Sequence, residues 1–117
     1  MGFESEYDQE DDVLSIYNLK LAPKESVQIS EDIILDIDKY GKIVGLELFY
    51  ASEFLSAFNP ELNKLFLSEL EAGSLEEKEF RNMSVIVLNL KSNGKVISQT
   101  MPPLSKSEYA SPLLARA

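Results

Sequence analysis

The sequence predicts an α+β fold: a mostly antiparallel β-sheet built from repeated hairpins, with one or two helices packed on one face. Three observations predict it. The stretch 32–52, D-I-I-L-D-I-D-K-Y-G-K-I-V-G-L-E-L-F-Y-A-S, reads as two apolar strands joined by a glycine turn, with a helix start behind them. A degraded copy returns at 85–105. Between the two, apolar residues change from a period of two to spacings of three and four, as a helix requires.

The elements follow in order. Phe3, Ser5 and Tyr7 alternate with Glu4, Glu6 and Asp8, and the acidic run 8–12 suits a solvated turn. Alternation resumes over 13–21, with Leu14 and Ile16 on one side and Ser15 and Tyr17 on the other. Residues 3–21 therefore read as a hairpin. Pro23 cannot donate to a ladder, so 22–25 is a connector, followed by a short strand at 27–29. Ile33, Leu35 and Ile37 share one strand face. Gly41 supplies the positive φ of the turn after them, and Val44, Leu46 and Leu48 face the core on the returning strand.

Ala51, Phe54, Leu55 and Phe58 form one face of a short helix. Asn59-Pro60 reads as a cap and first residue of a second helix over 60–72, closed by Gly73. The charged stretch 74–81 is ambiguous. Residues 83–90 form a strand, Asn93-Gly94 a hairpin turn, and 95–101 the return. Pro102-Pro103 stops the sheet, and the tail 104–117 receives no assignment.

Shifting the chain by 53 superimposes the two hairpins. Ile33-Ile34-Leu35 meets Ile86-Val87-Leu88, and Gly41-Lys42-Ile43-Val44 meets Gly94-Lys95-Val96-Ile97. The expectation is one domain over 1–117 made of two related hairpin units, about 3–58 and 83–105, joined by the helix at 60–72. Turns of one type would support a duplication, and turns of different type would tell against it.

Composition removes several functions. At 117 residues, 44 % hydrophobic and 26 % charged, the chain suits one folded domain rather than a disordered one. It contains no cysteine, so disulfides, thiolate nucleophiles and Cys-ligated metals are excluded, and a cytoplasmic location is expected. It contains no histidine, which excludes His-based triads and the commonest metal ligand. With 20 acids against 11 bases, the net charge of −9 opposes direct binding of nucleic acid or an anionic membrane and favours basic partners. No segment approaches the roughly 20 apolar residues that cross a bilayer, and 1–12 lacks the pattern of a signal peptide.

The sharpest site candidate is a calcium loop. Counted from Asp36, carboxylates fall at positions 1, 3 and 12 (Asp36, Asp38, Glu47), with Gly41 at 6 and Ile43 at 8. Tyr40 is a poor ligand at position 5, the flanks are β-patterned, and an extended 43–48 carries Glu47 away from the turn. The second copy keeps the glycine and loses the acids. Asp36, Asp38 and Glu47 therefore remain weak metal candidates, and no cofactor is expected. Asp8, Glu10, Asp11 and Asp12 could hold magnesium or act as acid and base, but consecutive turn acids diverge. Phosphate-binding glycine loops are absent. Phe49, Tyr50, Phe54, Phe58 and Phe66 are interface candidates, although helical spacing also suits a core.

The residues Y-D-Q-E-D-D-V-L-S-I-Y from Tyr7, followed by 32–52, resemble the small prokaryotic family known as domain of unknown function 2283. That family shows a Y-D turn into an apolar strand, an I-L-D-x-D-x-x-G-x-I-V-G-I-E-I strand pair and an A-S helix start. The resemblance covers about residues 3–55 and departs at Val13-Leu14, where the family shows A-D-x-L-Y. It implies a small mixed sheet-and-helix domain and supplies no catalytic residues. Two functions follow from the whole reading. The first is a non-enzymatic interaction module, antitoxin-like, that binds a basic protein or associates with itself. The alternative is a small carboxylate- or divalent-metal-dependent enzyme or ligand-binding domain.

Overall fold

The computed structural model describes residues 2–81, 83–101 and 104–105. The chain order is β1 (Phe3–Asp8), β2 (Val13–Asn18), β3 (Glu25–Ser30), β4 (Ile33–Ile37), β5 (Ile43–Phe49), α1 (Ala51–Phe58), α2 (Lys64–Ser68), β6 (Leu70–Glu79), β7 (Met83–Ser92), β8 (Lys95–Thr100) and β9 (Leu104–Ser105). Every pairing among the described residues is antiparallel, so the structure is α+β as the alternation predicted.

The strands form two sheets. The first has the order β1-β2-β5-β4-β3, and the second β6-β7-β8 with β9 also pairing with β7. Local hairpins account for β1–β2, β3–β4 and β4–β5. The long-range step is β2 against β5, where Leu14 lies opposite Leu48 and Ile16 opposite Leu46. Leu48 and Leu46 in turn lie opposite Ile33 and Leu35 on β4. A one-residue slip would turn these apolar rows to solvent, so burial fixes the register.

Both sheets and both helices feed one core. Leu14, Ile16, Leu35, Leu48, Leu55, Leu62, Leu67, Leu88 and Leu90 are all fully buried in a single cluster. β6 is the element that joins the sheets, since it pairs with β7 and lies against β1. Gly73 of β6 sits at that contact. A Cβ there would stand 3.0 Å from the Ser5 Cβ and 3.3 Å from Leu90 Cδ2, so the absence of a side chain lets the sheets approach.

This corrects the reading of 60–72 as one helix closed by Gly73. Asn59 ends α1 by donating its N–H to the Leu55 carbonyl at 2.9 Å, and its Oδ1 accepts the Glu61 N–H at 3.0 Å. That side chain organises a turn instead of a helix start. Asn63 is the true cap, accepting the Phe66 N–H at 2.9 Å. Only Lys64–Ser68 is helical, and the chain extends from Leu70 because nine of the ten residues of β6 find a partner in β7. Tertiary pairing overrode a helix signal carried by a short leucine stripe.

The two hairpin turns differ. Asn93 and Gly94 both have positive φ (52° and 80°) between the closing pair Ser92 and Lys95, a two-residue turn of type I′. In the first hairpin only Gly41 has positive φ (84°), and the register shifts between Asp36 and Ile37. The pairing registers agree under the 53-residue shift as far as Asp36 and Asn89, and the turns do not. By the criterion set by the sequence, the turn geometry tells against duplication. Of the tail, Leu104 and Ser105 pair with Ser84 and Met83, and 106–117 lies outside the described residues.

Candidate functional site

The first sheet has one face on the core and one open. The ladder places Glu4, Glu6 and Asp8 of β1, Val13, Ser15 and Tyr17 of β2, Gly45, Glu47 and Phe49 of β5, Ile34 and Asp36 of β4, and Ser26 and Gln28 of β3 on the open face. Five of these are carboxylates and none is a lysine or arginine. The apolar residues are grouped. Val13 lies opposite Phe49, and Ile34 opposite Glu47 on the neighbouring strand. With Tyr50, Asp11, Gln28 and Glu31 they line a shallow hollow of about 570 Å³. Asp32, Glu53 and Phe54 continue the surface around Tyr50. The result is an aliphatic and aromatic strip bordered by acids.

Two hydrogen bonds fix side chains on this face. Tyr17 donates its hydroxyl to Glu4 Oε1 at 3.0 Å, which raises the tyrosine pKa by favouring the protonated phenol. Ser26 donates to Asp36 Oδ1 at 2.6 Å. The calcium candidates are thus separated in role. Asp36 and Glu47 share the open face, but Asp36 is opposite Gly45 and Glu47 opposite Ile34. Asp38 lies beyond the strand, where its Oδ1 accepts the N–H groups of Tyr40 and Lys42 at 2.8 and 2.9 Å and shapes the turn. Asp8 likewise accepts from Glu10 and Asp11 N–H. Among the described residues, no group of three or more acids is arranged to hold a metal ion.

The aromatic candidates divide. Phe49 and Tyr50 join the open-face strip, Tyr50 being 60 % exposed. Phe54 and Phe58 form a tilted ring pair on α1 with centroids 5.2 Å apart. Phe66 on α2 packs against the core.

Sequence reasoning missed a polar network at the end of this face. Asp12, with φ of 57°, accepts the Tyr7 hydroxyl at 2.5 Å and the Ser52 N–H at 3.0 Å on Oδ1, and the Ser52 hydroxyl at 2.8 Å on Oδ2. Its own carbonyl accepts the Ala51 N–H at 2.9 Å. Helix α1 has no cap from its adjacent residue, Tyr50, and Asp12 supplies one from the β1–β2 turn. Burial pushes the Asp12 carboxyl up, but the Tyr7 and Ser52 donors outweigh it and hold the pKa below the usual aspartate range. Burial, then the hydrogen bond and charge of Asp12, raises the Tyr7 phenol far above the usual value. The available signal was the helix start Y-A-S with no Ser, Thr, Asp or Asn at the capping position.

Residues 5–52 match the family model described as "Protein of unknown function (DUF2283)". Residues 5–52 carry the DUF2283 pattern. The DUF2283 segment takes in β2 to β5 and the last four of the six residues of β1, and it ends at Ser52, the residue that Asp12 caps. An uncharacterized protein of Methanocaldococcus jannaschii is 25 % identical over 101 residues, covering 86 % of this chain and 85 % of its own length. About half of that match must lie beyond the DUF2283 segment, so the similarity extends into the second sheet. No solved structure matches the chain.

Proposed function

We propose that the protein is a non-catalytic interaction module that docks a basic surface of another protein on the open face of its first sheet. The observation that supports this reading is the composition of that face. Five carboxylates share that face with Val13, Ile34 and Phe49, with no cation among the residues the ladder places there. Such a surface attracts lysine- and arginine-rich partners at long range and offers an apolar strip to bury on contact, worth about 25 cal/mol per Å². A cytoplasmic setting is part of the proposal, supported by the cysteine-free sequence. No helix among the described residues is long and apolar enough to cross a membrane.

The test is calorimetric titration with a lysine-rich peptide, using the wild type and the variant Glu6→Gln/Glu47→Gln. The wild type should bind with an affinity that falls steeply as salt rises, and the variant should bind about tenfold more weakly. Equal binding by both proteins, or none by the wild type, would remove the reading.

A further inference from the structure

Four lysines gather at one end of the first sheet. Lys20 and Lys24 lie on the connection from β2 to β3, and Lys39 and Lys42 on the turn from β4 to β5. The two segments are joined, since the Lys24 N–H donates to the Ile37 carbonyl at 2.8 Å. The same tip exposes large apolar groups: Leu19 is 61 %, Leu21 42 % and Tyr40 78 % exposed. Lys39 Nζ stands 5.2 Å from the centre of the Tyr40 ring. Residues 18–24 contain no acid, and the Asp38 carboxylate is committed to backbone N–H groups of its own turn. A chain of net charge −9 thus presents a lysine-rich, apolar tip, bordered by Glu25 and by Glu77, whose Oε1 accepts the Ile43 N–H at 3.3 Å.

We propose that this tip docks on the open sheet face of a second copy of the same chain. The proposal rests on the reading of that face given above, and it names the partner. The two surfaces complement one another in charge and in apolarity. Lysines meet Glu6, Asp36 and Glu47, while Leu19, Leu21 and Tyr40 meet Val13, Ile34 and Phe49. Tip and face are different patches, so the contact is heterologous and leaves a free tip and a free face on the pair. Repulsion between the net charges acts over distances that salt of about 0.1 M screens, whereas lysine–carboxylate contacts of a few ångströms persist.

Sedimentation velocity on the full chain tests this. At about 0.1 M salt the wild-type mass should rise with concentration, and at about 1 M it should return to that of a monomer. The exposed tip variant Lys24→Glu/Lys39→Glu and the face variant Glu6→Lys/Glu47→Lys should each associate about tenfold more weakly. Mixing them should restore association, because each reversed patch then meets its complement. Unchanged circular dichroism confirms that both variants fold. A wild type that stays monomeric but binds the lysine-rich peptide overturns this inference and keeps the proposed function. A monomer that ignores the peptide removes both. Binding of a monomeric wild type to phosphatidylserine vesicles, lost in the tip variant, overturns the inference in favour of a lipid surface.

Discussion

The Asp12 carboxylate caps helix α1 through Ser52, 40 residues away in sequence, by accepting both the backbone N–H and the hydroxyl of that serine. The contact closes the DUF2283 segment on itself and sets α1 at the end of the open sheet face. Replacing Asp12 by alanine removes the cap and leaves a residue without the short polar side chain that suits a positive φ, for an expected loss of about 2–3 kcal/mol. Asp12→Asn tolerates that backbone and should lose about 1 kcal/mol. Tyr7→Phe removes a donor to the same carboxylate, so the two losses should not add. Urea unfolding of the single and double variants measures all of these.

The same network predicts the pH dependence of stability. The folded Asp12 pKa lies below the unfolded value of about 3.9, so its contribution is complete above that pH and is lost as pH falls through the depressed value. The folded Tyr7 pKa lies above the unfolded value of about 10, so its contribution is complete below pH 10 and is lost as pH rises beyond it. Tyr17, hydrogen-bonded to Glu4, adds to the alkaline loss. Unfolding free energies measured across pH should show a shallower acid limb in Asp12→Asn and a shallower alkaline limb in Tyr7→Phe.

The contact between the sheets makes Gly73 sensitive. A methyl group there meets Ser5 and the buried Leu90 on either side. Gly73→Ala should cost about 1–3 kcal/mol through overpacking. The pair Gly73→Ala/Leu90→Val opens space on one side and should lose less than the sum of its single changes. Thermal melts of the variants check the order.

Ser92 is the buried polar residue among those described, and its hydroxyl donates to the Phe66 carbonyl at 2.6 Å. The bond ties the end of β7 to α2. Ser92→Ala leaves that carbonyl with the Glu69 N–H at 3.3 Å and should cost about 1 kcal/mol. Leu67→Ala, from a fully buried position on α2, should cost about 2–5 kcal/mol. Denaturant midpoints at constant slope provide the comparison.

The local hairpins were legible because alternation and turn residues act within a few positions. Leu14 and Ile16 read as one strand side, Ile33, Leu35 and Ile37 as one strand face, and Val44, Leu46 and Leu48 as core-facing, and all are buried. What escaped detection depends on distant partners. β6 carries little apolar alternation of its own and is extended because β7 is available. Gly73 resembles a helix stop in sequence and becomes a packing site only when β1 arrives. Asp12 reads as one acid in a solvated run, and nothing within five residues marks it as the cap of Ser52. The open acidic face was similarly invisible as a unit, since its residues come from five strands and assemble only through the ladder order.

The most direct test of the interaction-module account is titration of isotope-labelled protein with a lysine-rich peptide, followed residue by residue by NMR. The account predicts progressive shifts at Glu4, Glu6, Val13, Ser15, Ile34, Asp36, Glu47 and Phe49, on one face of the first sheet. An absence of shifts, or shifts confined to the second sheet, would contradict it.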